Sequence, residues 1–175
     1  DLSAGAYEDA VAAIGNTPLI RLNRITSHLQ GSEVWVKLER CNVGGSIKDR
    51  IGLQMVLDGE EKGLLKSGGT IIEATSGNTG IGLAMVAASR GYRCIFTIPD
   101  KMSDEKIDLL RAIGAEVHVC PTAVAKEDPR SYYEVAARLA REIPGAWYPD
   151  QYSHLANPLA HELSTGPEIW RQCPG

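Results

Sequence analysis

Apolar and polar positions change period several times along this chain, and the changes mark its elements. "TPLIRL" (17–22) and "EVWVKLE" (33–39) alternate, with β-branched content, and predict two strands. "GGSIKDRIGLQMVLDGEEKGLL" (44–65) switches to a helical period, with Ile51, Met55 and Val56 on the apolar face and Gly63 near the stop. Ser46 is placed to cap this helix, with Asp49 as the acid three residues on. A regular alternation follows. Strands are predicted at 70–74 ("TIIEA"), 93–99 and 115–120, and helices after "SGNTG", at 103–114 and at 129–143. The joints are short and marked by Gly and Pro, which predicts an α/β fold with a parallel sheet and helices on both faces. "YPDQYSHLANPLAH" (148–161), with Pro149, Asn157 and Pro158, reads as a long loop between two lobes. The tail "ELSTGPEIWRQCPG" starts a helix without a closing strand, the pattern expected of a fold cut short.

Composition narrows the function classes. Of 175 residues, 43% are hydrophobic and 23% charged, and the net charge is -4. This is a globular balance without the basic excess of a nucleic-acid surface. The most apolar stretch, 80–99, is broken by Ser89, Arg90 and Arg93 and predicts no membrane span. Cys41, Cys94, Cys120 and Cys173 have no metal-ligand spacing, so no metal site is expected. Scattered thiols and an acidic N-terminal stretch without a leader pattern point to the cytoplasm. His118, His154 and His161 lack partners at catalytic spacing, and Cys41 is expected to pack.

Two glycine-rich turns carry the chemistry. "TSGNTGIG" (75–82) lies between a strand and a helix, where backbone N–H groups and the positive end of the helix dipole favour an anion. Gly77, Gly80 and Gly82 do not have the order of a dinucleotide fingerprint, although Asp100 lies at the distance of a ribose partner. A nucleotide-binding module is therefore one alternative, and a packing turn another. The second turn, "CNVGGSIKDR" (41–50), places Lys48 at a helix start. That position, together with burial in a cleft, disfavours the charged amine, and a neutral amine is a nucleophile able to condense with an aldehyde. A lysine swung out to solvent is the plainer alternative.

"IGNTPLIRL" (14–22), "KLERCNVGGSIKDR" (37–50) and "EATSGNTGIGLAMVAA" (73–88), in this order and spacing, resemble the fold type II pyridoxal-phosphate enzymes. The branch they resemble holds cystathionine β-synthase and cysteine synthase, with later segments nearer the former. The resemblance implies a tryptophan-synthase-β-like two-lobe fold. Residues 1–47 and 153–175 would belong to the larger lobe and 48–152 to a smaller mobile one. It implies pyridoxal 5'-phosphate as cofactor, bound covalently by Lys48, with Asn78 on the ring's 3′-oxygen. Thr75, Ser76, Gly77, Thr79 and Gln151 would hold the substrate carboxylate. The implied reaction is β-replacement on serine or O-acylserine by homocysteine, giving cystathionine. The alternative is cysteine from O-acetylserine and sulfide. A homodimer acting on small amino acids and thiols is implied as well. The family's phosphate-binding glycine-threonine loop and its partner for the pyridine nitrogen have no match within 1–175. The chain alone is therefore expected to bind the cofactor weakly.

Overall fold

A computed structural model describes residues 5–75 and 77–173. Its centre is a four-stranded parallel sheet in the order β5-β4-β3-β6, formed by β3 (Thr70–Ala74), β4 (Arg93–Pro99), β5 (Glu116–Cys120) and β6 (Ala146–Trp147). Every residue of β3 is buried, as expected of a parallel strand covered on both faces. Strand alternation divides the core in two. Ile71 and Phe96 meet α1 (Lys48–Glu61), α2 (Asn78–Arg90) and α3 (Asp104–Ala112) on one side. Ile72 and Ile95 meet α4 (Tyr132–Glu142) on the other. Helices thus cover both faces, as the sequence predicts. The strands β1 (Leu19–Arg21) and β2 (Trp35–Lys37) pair antiparallel in a separate two-stranded sheet.

Three local expectations need correction. Ser46 precedes α1 by two residues, and its hydroxyl accepts the Lys48 N–H at 3.1 Å, so it caps from one position further out. The predicted loop 148–161 ends early: α5 (Ala156–Ala160) runs into a π-helical turn, His161–Thr165, and then α6 (Gly166–Gln172). Pro158 is tolerated because it sits in the first turn of α5, where an N–H has no helical partner to lose. Cys41 is exposed and does not pack.

The two helices that begin at the glycine turns touch through their backbones. A β-carbon on Gly82 would lie 2.8 Å from the Lys48 carbonyl oxygen and 3.0 Å from the Asp49 α-carbon. One on Gly52 would lie 2.8 Å from the Gly82 carbonyl carbon. Gly82→Ala should therefore push α1 and α2 apart and cost about 1–3 kcal/mol, the usual penalty of overpacking. Chemical denaturation would measure the loss; a variant as stable as wild type would show that the helices can yield.

Below this crossing lies a buried ion network. Arg50 donates to Glu39 through Nε at 2.7 Å and Nη2 at 2.8 Å, and to Glu168 through Nη1 at 2.7 Å and Nη2 at 2.8 Å. Lys37 donates to Glu168 at 2.6 Å, and Thr17 to Glu39 at 2.6 Å. Burial opposes ionisation of Glu168, but the Arg50 and Lys37 hydrogen bonds outweigh it and hold the carboxyl down to about 2. The network ties α1 to β2, to the 3-10 turn Glu39–Cys41 and to α6.

Candidate active site

The C-terminal end of β3 opens into a cleft of about 380 Å³. Around it the fold gathers Lys48, Thr75, Gly77, Asn78, Thr79 and Gln151, which the sequence had singled out. Ser76 lies outside the described residues. Lys48 is the first residue of α1 and Asn78 the first of α2, so two helix starts converge on one space. No carboxylate lines the cleft, and the Lys48 amine faces it without an acidic partner among the described residues. Two amines, three side-chain amide or hydroxyl positions on the 75–79 turn and the partial charge of the α2 N-terminus give a donor set suited to an oxygen-rich anion.

Each wall has a structural reason for its place. The Thr75 amide extends the β3–β4 ladder by donating to the Thr97 carbonyl at 3.1 Å. Its Oγ1 accepts the Gly80 N–H at 3.2 Å and the Gly77 N–H at 3.4 Å, closing the turn. With its oxygen used as an acceptor, the Thr75 hydroxyl keeps its hydrogen to donate. Behind Lys48, the buried Asp49 accepts the Gly44 N–H at 2.6 Å, while its other oxygen has no partner among the described residues. A β-carbon at Gly44 would fall 2.6 Å from that oxygen, so the approach of the 41–50 turn requires glycine. Burial raises the Asp49 carboxyl above its ordinary range.

Gln151 stands opposite. Its Nε2 donates to the Ala74 carbonyl at 3.2 Å, its backbone N–H to Glu73 Oε1 at 3.5 Å, and its carbonyl accepts from Asn157 at 3.1 Å. One amide hydrogen of the side chain remains for a ligand. The preceding residue, Asp150, takes a left-handed φ of 53°, which turns the chain back over the end of β3.

Sequence reasoning missed Lys106 on α3 and Tyr152, which complete the lining. Nothing distinguishes Lys106 from other exposed helical lysines in the sequence. It also missed Glu73, fully buried in β3, although a carboxylate inside the apolar run "TIIEA" was a visible signal. Burial pushes the Glu73 carboxyl up to about 8, helped by the negative charge of Asp150. Raised above its ordinary 4.5, it contributes stability fully present below that value and lost as pH rises to about 8.

Other candidates are occupied elsewhere. Asp100 accepts the Thr122 N–H at 3.0 Å and hydroxyl at 2.6 Å, and does not line the cleft, so the ribose role of the nucleotide alternative has no support. His118 sits on the edge strand β5 against Glu116, His154 lies 3.6 Å from Asp58, and His161 bonds Thr165. Among the described residues, no helix is long and apolar enough to cross a membrane.

Known proteins resemble this chain in sequence and in fold. The sequence model of the family "Pyridoxal-phosphate dependent enzyme" matches residues 11–175. Cystathionine beta-synthase of Apis mellifera is 54% identical over 168 residues, covering 95% of this chain and 33% of the relative. Cysteine synthase 1 of Neurospora crassa is 50% identical over 171 residues, covering 98% and 45%. The chain thus spans between a third and a half of these relatives' length. Among solved structures, an O-acetylserine dependent cystathionine beta-synthase from Helicobacter pylori superposes with a TM-score of 0.87 at 36% identity, covering 96% of this chain and 54% of that one. An O-ureido-L-serine synthase superposes at 0.86 with 41% identity, covering 95% and 51%.

Proposed function

The chain belongs to the pyridoxal-phosphate dependent enzyme family, and from that premise we propose that its cleft serves β-replacement on serine or O-acylserine, with homocysteine as the thiol and cystathionine as the product. The observation that carries this reading is one cleft lined both by Lys48, which has no acidic partner among the described residues, and by an anion-seeking turn, 75–79.

The residues present fit the cofactor. Lys48 would offer its amine to the aldehyde, and Asn78, which opens α2 and lines the same cleft, would offer its amide to the ring oxygen. Bound pyridoxal phosphate supplies a ring that delocalises the electron pair left at the substrate's α-carbon. The protein's part is to place and move protons. Thr75, Ser76, Thr79, the backbone of Gly77 and the free amide hydrogen of Gln151 hold the substrate carboxylate. This fixes the α-hydrogen toward the Lys48 amine. Lys48 takes that proton as the β-hydroxyl or acyloxy group departs, and returns it to the α-carbon after the thiolate has bonded to the β-carbon. Residues 48–152 form the lobe that closes over the substrate and excludes water, with 1–47 and 153–175 in the larger lobe. The full-length protein is a cytoplasmic homodimer in this reading.

A second acceptor, sulfide, with O-acetylserine as donor, is favoured by the similarity to a cysteine synthase. Initial rates of full-length protein with serine or O-acetylserine against homocysteine or sulfide would separate the two. Borohydride reduction after addition of pyridoxal phosphate, followed by peptide mapping, should place the adduct on Lys48. An adduct only at other lysines would overturn the reading.

Thr79→Val tests the carboxylate site without changing side-chain shape. Losing one hydrogen bond to a charged group should cost about 1.5–3 kcal/mol, roughly ten- to a hundredfold in amino-acid affinity. An unchanged KM for the amino acid would remove Thr79 from the site.

A further inference from the structure

Glu73 has a geometry that the proposed reaction does not use. Its side chain is 0% exposed, and by strand alternation it shares a face of β3 with Ile71, inside the larger core cluster. One carboxyl oxygen accepts the Gln151 N–H, and the other has no partner among the described residues. The 148–152 turn lies over it: Asp150 in a left-handed conformation, Gln151 bonded to β3 at two points, and Tyr152 on the cleft wall. The ionisable groups whose charge reaches it are Asp150, Tyr148 and Tyr152 on the turn, and α1, which covers its face of the sheet, carries Lys48 and Asp49 in its first turn. None forms an ion pair with Glu73 among the described residues, and the charge of Asp150 opposes its ionisation.

We propose that Glu73 is a positioning residue for the cleft, its protonated carboxyl seating the 148–152 turn so that Gln151 and Tyr152 face the ligand, and its ionised form unseating that turn. This rests on the reading that Gln151 helps to bind the amino-acid carboxylate. The physical reason is direct. A neutral acid accepts the Gln151 N–H within an apolar core at little cost. A carboxylate there has no cation, lies near Asp150, and regains solvation only if the turn lifts. Burial places the changeover near pH 8 rather than in the usual carboxylate range. Tyr152, whose phenol is raised by burial and by the tyrosine and Glu73 charges beside it, moves with the turn.

The test uses the full-length, cofactor-loaded protein and L-alanine, an amino acid with no β-leaving group, titrated by calorimetry through pH 8. Wild type should lose affinity by about tenfold per pH unit above the changeover, because only the protonated form presents the bound geometry. Glu73→Gln, which keeps shape and neutrality, should bind alanine at neutral pH as wild type does and lack this alkaline limb. A Glu73→Gln protein with the wild-type limb would overturn the proposal. A second readout needs neither ligand nor variant: the Gln151 backbone amide resonance should shift with a single titration near pH 8. A resonance that does not titrate there overturns the proposal alone. A resonance that titrates while alanine fails to bind at any pH counts against the carboxylate reading of the site and against this role together.

Discussion

Arg50→Ala should destabilise the fold by about 3–5 kcal/mol, because it leaves the buried Glu168 and the half-buried Glu39 without their shared cation. The Arg50 side chain is 2% exposed and meets Glu39 and Glu168 through four hydrogen bonds. Arg50→Lys should recover only part of the loss, since a single ammonium cannot span both carboxylates as a planar fork does. The triple variant Arg50→Met, Glu39→Gln, Glu168→Gln should be more stable than Arg50→Ala, because the orphaned charges go with their partner. Denaturant midpoints would rank the four proteins, and an Arg50→Ala protein within 1 kcal/mol of wild type would show the network to be marginal. The pH dependence has a definite sign. Glu168 is depressed from 4.5 to about 2, so its contribution is present above 4.5 and lost as pH falls through about 2. Referenced to each protein's own neutral stability, wild type should therefore lose more between pH 4.5 and about 2 than Glu168→Gln, which has no carboxyl to protonate at this position.

Lys48→Ala should lower kcat of the full-length protein by about 10²–10⁴, the range for removing a positioned proton-transfer group. The borohydride-trapped adduct should vanish from this position as well. Lys48→Arg should be no better, because a guanidinium stays charged and cannot serve as the nucleophile. A small primary amine added to Lys48→Ala should restore part of the rate if the missing group is an amine acting on the substrate. A Lys48→Ala enzyme that turns over near the wild-type rate would remove this residue from the reaction. Because Lys48 lines the cleft rather than the core, stability should change far less than for Arg50.

How much of this could be read from the chain depends on how local each cause is. The strands β3, β4 and β5 and the helices between them follow from periodicity and punctuation, which act within a few residues. Strand β6 is only Ala146–Trp147, too short to show a period, and it exists because the sheet edge of β3 pairs with it. The helix α5 was hidden by Asn157 and Pro158, which punctuate a loop in most contexts but fit a first helical turn. The turn residues that meet in the cleft were legible because glycine, lysine and hydroxyl residues cluster in two short segments. Arg50 and Glu168 were not, since residues 118 positions apart become partners only in three dimensions. Lys106 and Tyr152 reach the cleft for the same reason.

The meeting of Gly52 with Gly82 has a consequence for how such a cleft can vary. The gap between Lys48 and the 75–79 turn is set where two main chains touch, the atoms nearest Gly52 and Gly82 being backbone. Changes of residue around the rim can therefore retune which molecules enter while the spacing of the reacting groups stays fixed. A single methyl group at the crossing reverses that order: it alters the spacing first and leaves the choice of molecule almost untouched.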